Sequence, residues 1–96
     1  MSISKPTGAS PGRRRTLAGV AHTAYMLISL DRGTPAAVAR QVRTVGGVVA
    51  AHVTMGDFDV VAVVEQETTK GFPPIAAEIQ RIEGVTKVTT CVVVQP

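Results

Sequence analysis

The sequence predicts an α+β fold in the order βαββαβ, built as one small domain. Three observations predict it. Apolar segments alternate with segments of helical spacing, an apolar pattern recurs later in the chain, and 96 residues have room for a single core. With 45% hydrophobic and 18% charged residues, the composition is that of a folded domain and not of a disordered chain.

The N-terminal residues differ in composition from the rest, and we expect a disordered basic tail over residues 1–21 ahead of a domain over residues 22–96. The tail contains four basic and no acidic side chains, with a run of three at Arg13–Arg15. The domain contains six basic and seven acidic side chains, so it is nearly neutral. Because nucleic-acid binding needs a basic surface on the domain itself, we expect no direct sequence-specific DNA binding.

The first half of the domain has the pattern strand, helix, strand. Residues 23–30 are dense in apolar side chains and precede a turn, which predicts a strand. Thr34 and Pro35 suit the N-cap and first position of a helix, and Gly46-Gly47 ends it. Residues 48–55 form the next predicted strand.

The second half repeats this order. Gly56-Asp57 is a tight turn signal that leads into a strand over residues 58–65. A polar loop precedes a helix over residues 72–82, whose proline pair fits only in the first turn. Residues 85–94 form a long last strand.

An internal repeat ties the two halves together. The apolar and glycine positions from Val38 to Val48 recur from Ile75 to Val85, at one offset of 37 residues. Two β-α-β halves in tandem give the ferredoxin-like split βαβ arrangement, a four-stranded antiparallel sheet with two helices on one face.

Both faces of this sheet are predicted to be apolar. Strand side chains alternate between faces, so a face in water should be polar. In the first strand Met26 and Ile28 oppose Tyr25 and Leu27, and valines occupy both sides of the third strand. Two helices cover one face, so the other would expose several hundred Å². We therefore expect a dimer through the sheet.

The turn between the second and third strands is the most informative candidate site. Gly56 can present backbone N–H groups to a carboxylate, and Asp57 or Asp59 can accept from an ammonium group. Those are the two charges of a free amino acid. Met55 and Phe58 would shape an apolar wall. The alternative is that these residues only form the turn, since glycine and aspartate are ordinary turn residues.

The remaining reactive side chains favour structural roles. Cys91 lies among valines and is expected to be a small buried hydrophobe. His52 stands alone in a strand. One cysteine and two histidines provide neither a catalytic set nor a metal-ligand cluster, so we expect no enzyme activity, no metal and no cofactor.

Several of these segments together resemble a known family. The resemblance is to the effector-binding domain of Lrp/AsnC-type regulators, the RAM domain. It rests on the helix closing at Val45-Gly-Gly-Val48, on His52-Val-Thr-Met-Gly-Asp-Phe-Asp-Val-Val61, and on Ile82-Glu-Gly-Val85 before a Thr-rich strand. Family members usually carry a small polar residue and Tyr where this chain has Met55 and Phe58.

The resemblance implies a small-effector sensing and oligomerisation module in transcription regulation. In such family members the domains form dimers through the sheet, and the dimers join into closed rings, often octamers or decamers. Small effectors, mostly amino acids, bind between dimers near the turn that matches Gly56–Asp59. The regulators also carry a helix-turn-helix domain, for which the 21 residues before the first strand are too few. We expect a stand-alone form of the domain, cytoplasmic and without a membrane span.

Two other functions stay open from the sequence. One is a cofactor-free enzyme of the dimeric α+β barrel type, a monooxygenase or isomerase, which would need a cavity lined by His, Asn, Trp or Tyr. This chain has two His, one Tyr and neither Asn nor Trp. The other is a co-regulator that acts on DNA through mixed rings with a full-length paralogue.

Overall fold

The computed structural model describes residues 15–16 and 19–94, and these have the predicted βαββαβ order. Four strands form one sheet and two helices connect them, with a short 3₁₀ turn before the second helix. The elements are β1 (His22–Leu30), α1 (Pro35–Val42), β2 (Val48–Val53), β3 (Val60–Gln66), α2 (Phe72–Gln80) and β4 (Val85–Val92).

The predicted tail is described in part. Arg15–Thr16 and Gly19–Val20 form a two-stranded antiparallel pair outside the main sheet. The predicted disorder of residues 1–14 and 17–18 lies outside the described residues.

The main sheet has the strand order β2-β3-β1-β4, and each neighbouring pair is antiparallel. This is the ferredoxin-like α+β fold that the sequence predicts. β1 and β3 are central, and Met26 lies opposite Ala62 on one side and Thr90 on the other. β2 and β4 are the edge strands.

The core lies between the two helices and one face of the sheet. Its sheet side consists of alternating residues of the two central strands, which are completely buried, and of Ala51 on the edge strand β2. Its helix side consists of residues at helical spacing, so the apolar pattern that predicted the helices is the one that is buried. The core residues are Ala24, Met26, Ile28, Val38, Ala39, Val42, Val45, Ala51, Val60, Ala62, Val64, Phe72, Ile75 and Ile79.

The opposite side of the sheet is named the open face. Its centre is apolar as predicted, with Leu27, Val61 and Val63 half-buried by their neighbours, while its margins are polar. The strand registers place these side chains on it: Tyr25, Leu27 and Ser29 of β1, Ala50 and His52 of β2, Val61 and Val63 of β3, and Lys87, Thr89 and Cys91 of β4.

Several predicted boundaries need correction. β2 ends at Val53, two residues earlier than predicted, and β3 starts at Val60, so Asp59 precedes the strand. α1 ends before the glycine pair because the Thr44 and Val45 N–H groups donate to carbonyls three residues back, at 3.0 Å each, which makes a tight turn. α2 and β4 each end two residues earlier than predicted, at Gln80 and Val92.

Candidate functional site

The predicted site lies in the turn that joins β2 to β3. The turn is closed by two hydrogen bonds: the Thr54 N–H donates to the Asp59 carbonyl at 3.0 Å, and Thr54 Oγ1 donates to the Phe58 carbonyl at 2.7 Å. Between them, Met55 is fully exposed and Gly56 has a φ of +139°. The backbone of this turn is therefore fixed at its base and open to solvent at its tip.

Asp59 has a structural function, which the sequence left open as the alternative, but its partners on β1 could not be predicted. Its N–H donates to the Ile28 carbonyl at 2.9 Å, and its Oδ2 accepts from the Leu30 N–H at 2.9 Å. The register of β1 against β4 shifts between Ser29 and Leu30, at the last residue of β1. The carboxylate thus stands in for a strand partner at the end of β1.

Asp59→Ala is expected to lower the free energy of unfolding by about 1–3 kcal/mol, because the partly buried Leu30 N–H loses its acceptor. Asp59→Asn, whose amide oxygen can still accept, should retain most of the stability. The measurement is urea unfolding followed by circular dichroism, at one protein concentration for all variants.

The matched control is Asp57→Ala, which removes an exposed carboxylate two residues away in the same turn. This variant should unfold like the unmodified protein. Equal losses for the two aspartates would contradict the structural function of Asp59.

The tip of the turn is open to solvent in the part of the chain that the structure describes. Asp57 is exposed and Phe58 is half-buried, and a Cβ added at Gly56 would meet no atom of the described chain within 4 Å. The described residues would leave room for a side chain at this position, so it is the positive φ that favours glycine here. Ligand binding by Met55, Gly56, Asp57, Phe58 and Asp59 stays a prediction.

A cleft that the sequence did not predict lies at the same end of the sheet. It has a volume of about 200 Å³ and lies between the start of α1 and the turn before β4. The Asp31 N–H donates to the Gly84 carbonyl at 3.0 Å and holds the two sides together. The cleft is lined by Arg32, Gly33, Thr34, Ala37, Val38, Gln41 and Glu83.

The charges at this cleft are exposed. Arg32 and Asp31 form an ion pair at 3.9 Å with side chains 67% and 55% exposed, so the guanidinium stays largely in water. Glu83 contributes an exposed acid to the lining. From the sequence, residues 31–34 had indicated only a turn and a helix N-cap, and nothing brought Glu83 to them.

Cys91 is exposed, so its predicted burial is wrong in the single chain. The reason is its place on the open face of an edge strand, opposite Tyr25. His52 is also exposed on that face. In the described part of the chain, no three His, Cys, Asp or Glu side chains are grouped to hold a metal ion. None of the described helices is long and apolar enough to cross a membrane.

Comparison with known proteins gives one family and a group of structures that share its fold. The family model of the Lrp/AsnC ligand-binding domain matches residues 23–96. No curated protein matches the sequence significantly. Many solved structures share the fold.

Three of these structures illustrate how far the likeness in fold extends. TTHA0845 from Thermus thermophilus is 21% identical with a TM-score of 0.72, over 78% of this chain and 95% of that one. AsnC from Escherichia coli is 18% identical with a TM-score of 0.76, over 93% of this chain and 61% of that one. The transcriptional regulator NMB0573 from Neisseria meningitidis, solved with L-Met, is 16% identical with a TM-score of 0.65, over 77% of this chain and 50% of that one.

Proposed function

The chain belongs to the Lrp/AsnC ligand-binding domain family, and from this we propose that it senses a small amphoteric effector, most simply an amino acid, and forms oligomers without a catalytic function. The observation that carries the proposal is the match of the family model over residues 23–96. The proposal concerns these residues, since the chain spans 61% of AsnC and 50% of NMB0573.

The nature of the effector is inferred from the neighbours. NMB0573 and the feast or famine regulatory protein of Mycobacterium tuberculosis were both solved as complexes with L-methionine. An amino acid carries one carboxylate and one ammonium group, so a site for it needs a donor group and an acid close together. We expect this chain to bind a ligand of that class.

The turn from Met55 to Asp59 is the proposed site. Its exposed tip offers the Gly56 N–H to a carboxylate and the Asp57 carboxylate to an ammonium group. Asp59 positions the turn, because its Oδ2 already accepts from the Leu30 N–H. A ligand with few atoms at an exposed turn should bind modestly, roughly in the micromolar to millimolar range.

The open face is the proposed dimer interface. Its half-buried apolar centre is the surface that a second sheet would cover, and burial stabilises by roughly 25 cal/mol per Å² before the costs of association. We propose that such dimers join into rings with closed symmetry. The family resemblance implies that the β2–β3 turns lie at the contacts between dimers in such a ring. A full-length family member could share such a ring, which would connect this chain to DNA through its partner.

A thermal-shift screen of the twenty amino acids at millimolar concentration tests the proposed function. A ligand stabilises by RT ln(1 + [L]/Kd), so we expect at least one amino acid to raise the Tm in a concentration-dependent manner. Asp57→Asn should remove that shift while leaving the Tm without ligand unchanged, because Asp57 is exposed.

The matched control is Glu67→Gln, which neutralises an exposed acid just after β3, at the other end of the sheet. It should keep the ligand-dependent shift. If no amino acid shifts the Tm of the unmodified protein, the sensing function is wrong. A shift that survives Asp57→Asn would move the site away from the turn, with the Arg32 cleft as the next place to test.

A further inference from the structure

The β2 edge of the sheet has the composition of a strand that adds to another strand. Its six residues, Val48–Val53, contain three β-branched side chains, no proline and no acid. Val49 and Val53 are 52% and 50% exposed. Short apolar segments of this kind at an edge are sites of unwanted strand pairing unless they are blocked.

The hydrogen-bond pattern shows which groups face outward. The Thr54 N–H donates to the Asp59 carbonyl, so Thr54 and Asp59 are a hydrogen-bonded pair of the β2–β3 ladder. In antiparallel strands such pairs alternate with pairs that exchange no hydrogen bonds. Following the register back, Ala51 opposite Ala62 is a pair of the second kind. The Ala51 N–H and carbonyl therefore point away from β3, at the edge.

The Arg43 side chain hydrogen-bonds to this outward-facing carbonyl oxygen. Its Nε donates to the Ala51 oxygen at 3.1 Å and its Nη2 donates to the same oxygen at 2.8 Å. The guanidinium group comes from the end of α1 and lies along the middle of the edge. At the start of the strand, the Val48 N–H donates to the Val45 carbonyl at 3.1 Å. The residues at and after the end of α1 thus engage backbone groups at two points of β2.

We propose that the β2 edge can pair with β2 of a second copy of this chain, and that the Arg43 side chain blocks this pairing in the unmodified protein. Two β2 strands pairing about a twofold axis at Ala51 would exchange hydrogen bonds between the Ala51 N–H of one copy and the Ala51 carbonyl of the other. That exchange needs the carbonyl and the space beside it, and the Arg43 guanidinium fills both.

The second edge of the sheet is protected differently. β4 carries Lys87 and three threonines within Val85–Val92, and a charged side chain on an edge strand opposes the addition of another strand. β2 contains no Lys, Arg, Asp or Glu, and its one polar side chain, His52, lies on the open face. Protection of the β2 edge therefore depends on a side chain from outside the strand.

Arg43→Gln tests the proposal on the full chain. We expect its weight-average mass in sedimentation velocity to rise with concentration to at least about twice that of the unmodified protein, because a new twofold contact joins two assemblies. Val53→Lys in the same chain should return the mass to the unmodified value, since a lysine on the edge opposes pairing. The Val53→Lys substitution distinguishes pairing at the β2 edge from aggregation of an unfolded chain, because a lysine on the edge would reverse only the first.

Arg40→Gln is the matched control. It removes the same charge from the last turn of the same helix, where Arg40 is exposed, and it leaves the Ala51 contact in place. Its mass should be unchanged. Because Arg43 is also the C-cap of α1, Arg43→Lys serves as a milder variant that keeps the charge and loses the two-pronged contact.

Arg43→Lys should fold and give a mass between those of the unmodified protein and Arg43→Gln. The proposal is overturned if both Arg43 variants keep the unmodified mass up to the highest concentration, or if Val53→Lys fails to reverse the increase. None of these outcomes depends on ligand binding or on the open face, so the proposed function is tested separately.

Discussion

Gly84→Ala is expected to destabilise the protein by about 2–4 kcal/mol, which would be among the largest effects of any single methyl group added to this chain. Gly84 is buried with a φ of +98°, and a Cβ there would lie 2.5 Å from the Arg32 carbonyl oxygen. Two costs add: an L side chain rarely adopts that backbone conformation, and the oxygen it meets belongs to the main chain. The turn before β4 would have to move away from the end of β1.

Gly33→Ala separates the two costs. Gly33 also has a positive φ, +85°, but a Cβ there would meet no described atom within 4 Å. Only the conformational cost remains, about 1–2 kcal/mol. Urea unfolding of both variants gives the comparison. If Gly84→Ala is no worse than Gly33→Ala, the close approach of the Arg32 carbonyl is not a constraint on the fold.

The fold could be predicted because its information is local and repeated. The repeated pattern contains Gly47 in its first copy and Gly84 in its second, and both glycines have positive φ, +94° and +98°. Helical spacing, caps and glycine stops are recognised within a few residues of each other. Given two such units, the antiparallel order of the sheet follows from the split βαβ arrangement alone.

The side-chain contacts could not be predicted, because they join residues that no local pattern connects. The Asp59 carboxylate accepts from Leu30, 29 residues earlier. The Arg43 guanidinium reaches the Ala51 carbonyl across the turn between α1 and β2. In the sequence these residues are an acid near a turn and a base near a helix end, which describes many surface residues.

At the candidate site too, the local features could be predicted from the sequence and the contacts between distant residues could not. That the β2–β3 turn is exposed and holds two acids and a glycine follows from the sequence, and the structure has it so. That one of the acids is engaged in holding β1, and that a cleft with Arg32 and Glu83 lies at the same end, required the three-dimensional register. The sequence therefore identified the turn as a candidate site, but it could not show which of the turn residues hold the fold together.

A lysine on the open face is expected to have the second large effect, which is on the mass of the assembly. Leu27→Lys should reduce the protein to a monomer of about 10 kDa, the mass of one chain. Leu27 lies on the central strand β1 with Val61 beside it and is half-buried in the single chain. An ammonium group at the centre of an apolar interface would be buried without a partner, which costs several kcal/mol. In a twofold dimer the substitution enters twice.

Thr90→Lys is the matched control for this prediction. It introduces the same charge at an exposed position on the other side of the sheet, since Thr90 lies opposite Met26 on the face that packs against the helices. Light scattering should show the unmodified mass for Thr90→Lys and the single-chain mass for Leu27→Lys, with the circular dichroism of both unchanged. A folded Leu27→Lys variant that keeps the unmodified mass would show that the chains do not pair through the open face, and another surface would then have to cover its apolar centre.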